Sequence, residues 1–228
     1  MENNNKQPKK PHLYTKGEEW ANTLTHFIAA ICVLIFIPIM VVILRNNFVS
    51  LRERIGIVIF LLSIFSMLLM SSYYHSIEQH TPKKLIGRKL DHIFIFVAIA
   101  GSYTPIALSF VWNIPQYGIA LAIALISVQW LIVVFGAIYK SRLKGKKLTT
   151  ILPLYFAMGC IMVVLIPLLR TNGFTELFWY LIAGGLFYGL GVILFAFQRI
   201  RYTHTLWHFF VIFGSLAHII GICFYLSF

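Results

Sequence analysis

Seven stretches of this sequence run for about 20 residues each without an Asp, Glu, Lys or Arg: 27–44, 55–74, 93–112, 117–139, 151–169, 177–197 and 206–228. A hydrocarbon core of about 30 Å takes about 20 apolar residues of helix. In lipid the backbone must satisfy its own hydrogen bonds, which continuous runs of this length do as helices. Membrane-spanning strands would be about 10 residues long and would alternate apolar with polar, a pattern absent here. The expected fold is therefore an all-α integral membrane protein, a bundle of seven transmembrane helices.

Composition agrees. Hydrophobic residues make up 59% and charged residues 11%, against about 25% charged in soluble domains. Such a chain cannot cover itself with polar surface, so lipid is its solvent. The expected organisation is a polar N-terminal segment, 1–19, followed by one membrane domain, 20–228. The first apolar run is too long for a signal-peptide core and no small-residue cleavage site follows it, so no cleaved signal is expected. Cys32, Cys160 and Cys223 are isolated within apolar runs, and packing is their expected role rather than a disulfide or a thiolate metal site.

The net charge of +12 does not imply nucleic acid, because most basic residues fall in short clusters between apolar runs. Placed inside, an N-terminus in the cytoplasm puts Lys6, Lys9, Lys10, Lys16, Lys83, Lys84, Arg88, Lys89, Lys140, Arg142, Lys144, Lys146, Lys147, Arg199 and Arg201 on the inner face. Only Arg45, Arg52, Arg54 and Arg170 fall outside. By the positive-inside rule the N-terminus is expected in the cytoplasm and the C-terminus outside. The partners this implies are membrane lipids, with anionic headgroups against the basic clusters.

Short linkers make neighbouring helices antiparallel, and Asn113, Ile114, Pro115 and Gln116 form a tight turn between spans three and four. Trp20, Tyr73, Tyr74, Trp112, Tyr139, Trp179 and Tyr180 stand near span ends, as interfacial anchors do. Pro38, Pro105, Pro153 and Pro167 are expected to kink or end their helices. Gly184, Gly185, Gly189 and Gly191 in span six include a Gly-x-x-x-Gly spacing at Gly185 and Gly189. Close packing inside the bundle is its expected meaning, with a homo-oligomer face as the lesser alternative. No internal or inverted repeat is evident.

The threading brings distant polar residues to one membrane level. His75 closes span two, Asp91 and His92 open span three, His204 and His208 open span seven, and Asn22 and His26 precede span one. His204 and His208 are four apart, on one helix face about 6 Å apart along the axis, where two imidazoles can grip one metal ion. A third histidine from another helix leaves a fourth position for water, the pattern of catalytic rather than structural zinc, and zinc acidifies bound water to a pKa of about 7. Asp91 is the candidate to orient that water or take its proton, and Ser71, one turn before His75, to donate to a developing oxyanion. A proton relay would use similar groups. His218 is ten residues past His208, roughly 15 Å deeper, too far for the same ion and expected to be a buried hydrogen-bonding group. Glu53, Glu78 and Glu176 are expected in solvated linkers.

Four blocks then resemble a known family. Residues 17–26, with Glu19, Asn22, Thr25 and His26, resemble Glu-x-x-Asn-x-x-Thr-His. Residues 71–75 resemble Ser-x-x-x-His. Leu90-Asp91-His92, running on to Gly101-Ser-Tyr-Thr-Pro105, resembles a third-span block, and His204 to His208 followed by Gly214 to His218 resembles a last-span block. Together they resemble the hemolysin III family, the bacterial branch of the progestin and adipoQ receptor proteins. The resemblance implies seven helices with a cytoplasmic N-terminus, zinc on His75, His204 and His208, and Asp91 and Ser71 beside the zinc-bound water. Alkaline ceramidases in the wider superfamily imply hydrolysis of a lipid amide or ester; the family also implies roles in membrane homeostasis. The rival readings are a pore-forming cytolysin and a non-enzymatic receptor or transporter with a structural metal. Seven uncharged spans cannot be hidden before insertion, as a soluble pore former requires, and the outer linkers are too short for a protein-binding domain.

Overall fold

The computed structural model of the protein describes residues 14–142, 151–197 and 200–226. Lys6, Lys9, Lys10, Lys144, Lys146, Lys147, Arg199 and the last two residues of the seventh run lie outside them.

Seven helices long and apolar enough to cross a membrane follow one another: α1 Lys16–Asn46, α2 Leu51–Ser76, α3 Pro82–Leu108, α4 Gly118–Arg142, α5 Leu152–Thr171, α6 Thr175–Ala196 and α7 Thr203–Tyr225. This is a multi-pass membrane protein. Its outward surface is apolar: Ile28, Ile35, Val42, Leu131, Phe135, Val164 and Leu186 are all exposed, a belt that water would not tolerate and lipid does.

Several helices outrun the apolar stretches, and these extensions carry the site. α1 begins eleven residues before its uncharged run because Thr15 and Glu18 close a capping box, each side chain satisfying the other's backbone N–H. α3 starts at Pro82, with Thr81 capping it and the proline in its first turn, where the missing N–H costs nothing. Asn22, His26, Asp91 and His92 therefore all sit on regular helix. Glu53, expected in a solvated linker, instead closes a second capping box with Ser50 at the start of α2, and Glu176 lies in the first turn of α6.

The packing is circular. α1 lies against α2 and α7, α2 against α3, α3 against α4 and α5, and α6 against α5 and α7. Close approaches are set by glycines: a Cβ on Gly56 would stand 2.9 Å from the Pro105 backbone, and one on Gly136 would meet the Phe96 ring at 2.6 Å. Span six departs from expectation. Gly184 and Gly191 pack on α7, against His218 and Trp207, but a Cβ on Gly185 or Gly189 would meet nothing within 4 Å. The Gly-x-x-x-Gly pair thus faces outward, because the four-residue spacing puts both glycines on the stripe opposite the one that meets α7.

Candidate metal centre

α2 brings His75, and α7 brings His204 and His208, together at the end of the bundle where α1 begins. One ligating atom from each lies within 4.8 Å of the other two. The ring centroids are 5.0 Å apart for His75–His204, 5.0 Å for His75–His208 and 4.8 Å for His204–His208. His75 and His208 are buried and His204 half-buried.

The hydrogen bonds behind the rings decide which nitrogens face inward. His75 Nδ1 stands 2.6 Å from Glu19 Oε2, and a carboxylate only accepts, so Nδ1 carries the proton and Nε2 presents a lone pair. His208 Nδ1 is 3.2 Å from the Asn22 carbonyl oxygen, which likewise only accepts, so its Nε2 is also unprotonated in the neutral ring. Thr25 Oγ1 backs the same nitrogen at 3.2 Å and donates to the Asn22 carbonyl. His75 Nε2 and His204 Nε2 are 3.2 Å apart. A tetrahedron with Zn–N bonds of about 2.0–2.1 Å has edges of roughly 3.3 Å. The three residues fit a divalent metal ion, and the carboxylate and carbonyl behind two of them are the supports that ligating histidines require.

Glu19 is itself held. Its Oε1 accepts from Lys84 Nζ at 2.7 Å and from Gln79 Nε2 at 3.2 Å; Lys84 also donates to the Tyr74 carbonyl and sits 4.4 Å over the Tyr74 ring. Gln79 bonds the Tyr14 carbonyl at 2.7 Å, laying the start of the described chain across the histidines, with the Tyr14 ring 5.0 Å from His204 and 6.0 Å from His75. Burial first, then Tyr74 and the carboxylates of Glu19, Asp91 and Glu18, push the Tyr14 phenol well above its ordinary range, so it stays protonated. Glu18 also accepts the Tyr202 backbone N–H at 3.1 Å; Tyr202 is in the left-handed region, φ 59, just before α7. The capping carboxylate of α1 thereby fixes the start of the helix that carries His204 and His208.

The other polar residues divide. Asp91 stands where His75, Ser71, Lys140 and Lys84 act on it electrostatically. Asn22 Oδ1 accepts from Thr205 Oγ1 at 2.6 Å. His26 stacks on His208, centroids 3.7 Å apart and planes 7° off parallel. His92 is buried, its Nε2 4.0 Å from Asp91 Oδ2. His218 lies deeper, Nε2 3.4 Å from the Leu181 carbonyl oxygen and its ring against Tyr188, a hydrogen-bonding group and not one of the three.

Thr25 entered only as part of the first motif, and Tyr14, Glu18, Gln79, Lys84 and Thr205 were not singled out by sequence reasoning for this centre. Of these last five only Glu18 had a readable signal, the Thr-x-x-Glu of a capping box.

Comparison with known proteins places these residues in context. The sequence model of the family described as Haemolysin-III related matches residues 14–219. The chain is 32% identical over 215 residues to the Hemolysin-3 homolog of Bacillus subtilis, covering 93% of this chain and 96% of that one. It is 30% identical over 210 residues to Hemolysin-3 of Bacillus cereus, covering 91% of each. It is also 29% identical over 184 residues to the human Monocyte to macrophage differentiation factor, covering 76% of this chain and 71% of that one.

Proposed function

The chain belongs to the Haemolysin-III related family, and from that membership and the centre's geometry we propose that it is a zinc-dependent hydrolase of a lipid amide or ester. The observation that carries the reading is the set of three imidazoles in which the Nδ1 atoms of His75 and His208 are tied to Glu19 and Asn22, leaving Nε2 atoms to converge.

His75, His204 and His208 would hold the ion. When bound, zinc supplies Lewis acidity that polarises a carbonyl and acidifies water at neutral pH. Asp91 is the proton carrier of the site. Its carboxylate oxygen takes the proton that attacking water loses as the C–O bond forms, and returns it to the nitrogen or oxygen that leaves as the scissile bond breaks. Ser71 orients that carboxylate, and Glu19 keeps His75 in the tautomer that ligates. The Tyr14 ring screens the histidines from bulk water, which strengthens every electrostatic contact behind it.

The test is metal analysis of protein purified in detergent, with hydrolysis of ceramide and phospholipid libraries by wild type, His208→Ala and Asp91→Asn. The reading expects about one zinc per chain, lost in His208→Ala, and turnover lost in both variants with zinc retained in Asp91→Asn. Equal zinc in wild type and His208→Ala would remove the ligand assignment. Full zinc with no turnover of any lipid would leave a structural clip joining α2 to α7.

A further inference from the structure

Three polar atoms beside His208 are buried without a hydrogen-bond partner among the described residues: Asn22 Nδ2 and both ring nitrogens of His26. They belong to one seam, between α1 and α7. Asn22 and His26 are four residues apart on α1 and share a face of that helix. Thr205 Oγ1 donates to Asn22 Oδ1 at 2.6 Å, and His208 Nδ1 stands 3.2 Å from the Asn22 carbonyl oxygen. The His26 ring lies flat on His208, with centroids 3.7 Å apart. Both α1 side chains are therefore turned onto the helix that carries two of the three clustered imidazoles.

A flat ring against His208 does not explain the choice of histidine. Phenylalanine would stack as well and bring no polar atom to desolvate. Each buried donor or acceptor left unpaired costs its full desolvation, and native proteins keep few such atoms without cause. His26 forms no ion pair among the described residues, so the buried ring is neutral. In either tautomer a neutral imidazole offers one N–H and one lone pair, and the Asn22 amide adds N–H donors. The seam thus lacks an acceptor and a donor together. Phosphate, ester and carboxylate oxygens only accept and would leave the His26 lone pair bare. An ammonium only donates and would leave the N–H groups bare. A hydroxyl does both.

We propose that Asn22 and His26 are specificity-determining residues that recognise a hydroxyl group of the bound lipid. The alcohol oxygen accepts from Asn22 Nδ2, and its O–H donates to the unprotonated nitrogen of His26. Because His26 is stacked on His208, the hydroxyl belongs close to the bond that is cut, as in an acylated amino alcohol. The inference rests on the lipid-hydrolase reading for the ligand being a lipid, and not on turnover or on the ion.

The probes are the ethanolamide, methoxyethylamide and ethylamide of palmitic acid. The first can donate and accept beyond the amide, the second only accept, the third neither. Affinity is read by native mass spectrometry in detergent, on protein carrying Asp91→Asn so that no amide is consumed. The ethanolamide is expected to bind about tenfold tighter than either analogue, as a site built around a hydroxyl requires. Adding His26→Phe, which keeps a flat ring on His208, is expected to bring the three within twofold of one another. Zinc content should be unchanged, and the melting temperature equal or higher, since unpaired buried atoms are gone. Partition into the micelle is common to both proteins and cancels in the comparison. Equal binding of the three amides with His26 intact would mean that ordered water fills the seam, and would overturn the proposal. A preference for the ethanolamide that survives His26→Phe would overturn it too, as would zinc lost in that variant, which would assign the ring to holding His208. Binding needs neither zinc nor turnover, so protein lacking both still decides the matter. Should His26→Phe fail to fold, the amide series on intact His26 decides alone.

Discussion

Replacing Glu19 separates the metal-holding role of the cluster from simple packing. The carboxylate is 2.6 Å from His75 Nδ1 and 2.7 Å from Lys84 Nζ. In Glu19→Gln the amide oxygen can still accept the His75 proton, so geometry is kept and charge is lost. Two consequences act in one direction. The imidazole becomes a weaker donor to the ion, and the Lys84 ammonium is left uncompensated beside a divalent cation. Outer-shell partners of metal-ligating histidine are worth about 10- to 100-fold in affinity, or about 1.4–2.7 kcal/mol. Glu19→Gln should fall at the lower end of that range; Glu19→Ala, which also frees the ring to rotate, should approach the upper end. Removing the stranded cation in Glu19→Gln/Lys84→Gln should recover part of the loss. The assay is zinc affinity by competition with a chromophoric chelator in detergent, with melting temperature followed in parallel. Affinities of wild type and Glu19→Ala agreeing within twofold would refute the reasoning, since Glu19 would then be bonded to His75 only to hold α1 against α2.

Gly56→Ala should destabilise the bundle by about 1–3 kcal/mol, because its new methyl would stand 2.9 Å from the Pro105 backbone; Gly185→Ala, with nothing within 4 Å, should leave the denaturation midpoint in dodecyl sulfate unchanged or slightly raised. A Gly185→Ala loss as large as that of Gly56→Ala would show that the outward face is covered. Thr15→Ala removes the cap of α1 and should cost about 1 kcal/mol, seen as a lower melting temperature with zinc stoichiometry intact. In a cysteine-free background, Lys83→Cys should react with an impermeant maleimide only from the cytoplasm, and Phe48→Cys, at 95% exposure, only from outside; the opposite pattern would reverse the expected orientation.

The seven helices were legible because a bilayer leaves the sequence little freedom: an uncharged run of about 20 residues has one conformation that satisfies its backbone. The helix ends were not, since headgroups and water tolerate both helix and loop, and the decision passed to caps. The Thr15–Glu18 and Thr81–Pro82 starts extend α1 and α3 past their apolar runs, and those added turns carry Asn22, His26, Asp91 and His92. A reading that stopped each helix at its last apolar residue would have left the site's residues in loops.

The histidines were legible for a different reason: topology alone puts His75, His204 and His208 at one depth, and the i, i+4 spacing puts two of them on one face. What hydropathy and spacing leave open is rotation about each helix axis, and rotation decides which groups support the ligands. Glu19 and Trp20 are neighbours in sequence, yet the first meets His75 at 2.6 Å while the second is 66% exposed. The same rotation turns Gly184 onto His218 and Gly185 into open space. On α3 the groups acting on Asp91 include His75 and Lys84, whereas those acting on its neighbour His92 are Lys140 and Arg88. A shift of one residue in the register of α3 against α2 would exchange those assignments. The contact that resists it is the Cβ of Ser63, which already lies so close to Gly101 that no side chain fits there, so the identity of the group beside the histidines rests on a glycine nearly three turns deeper in the membrane than Asp91 itself.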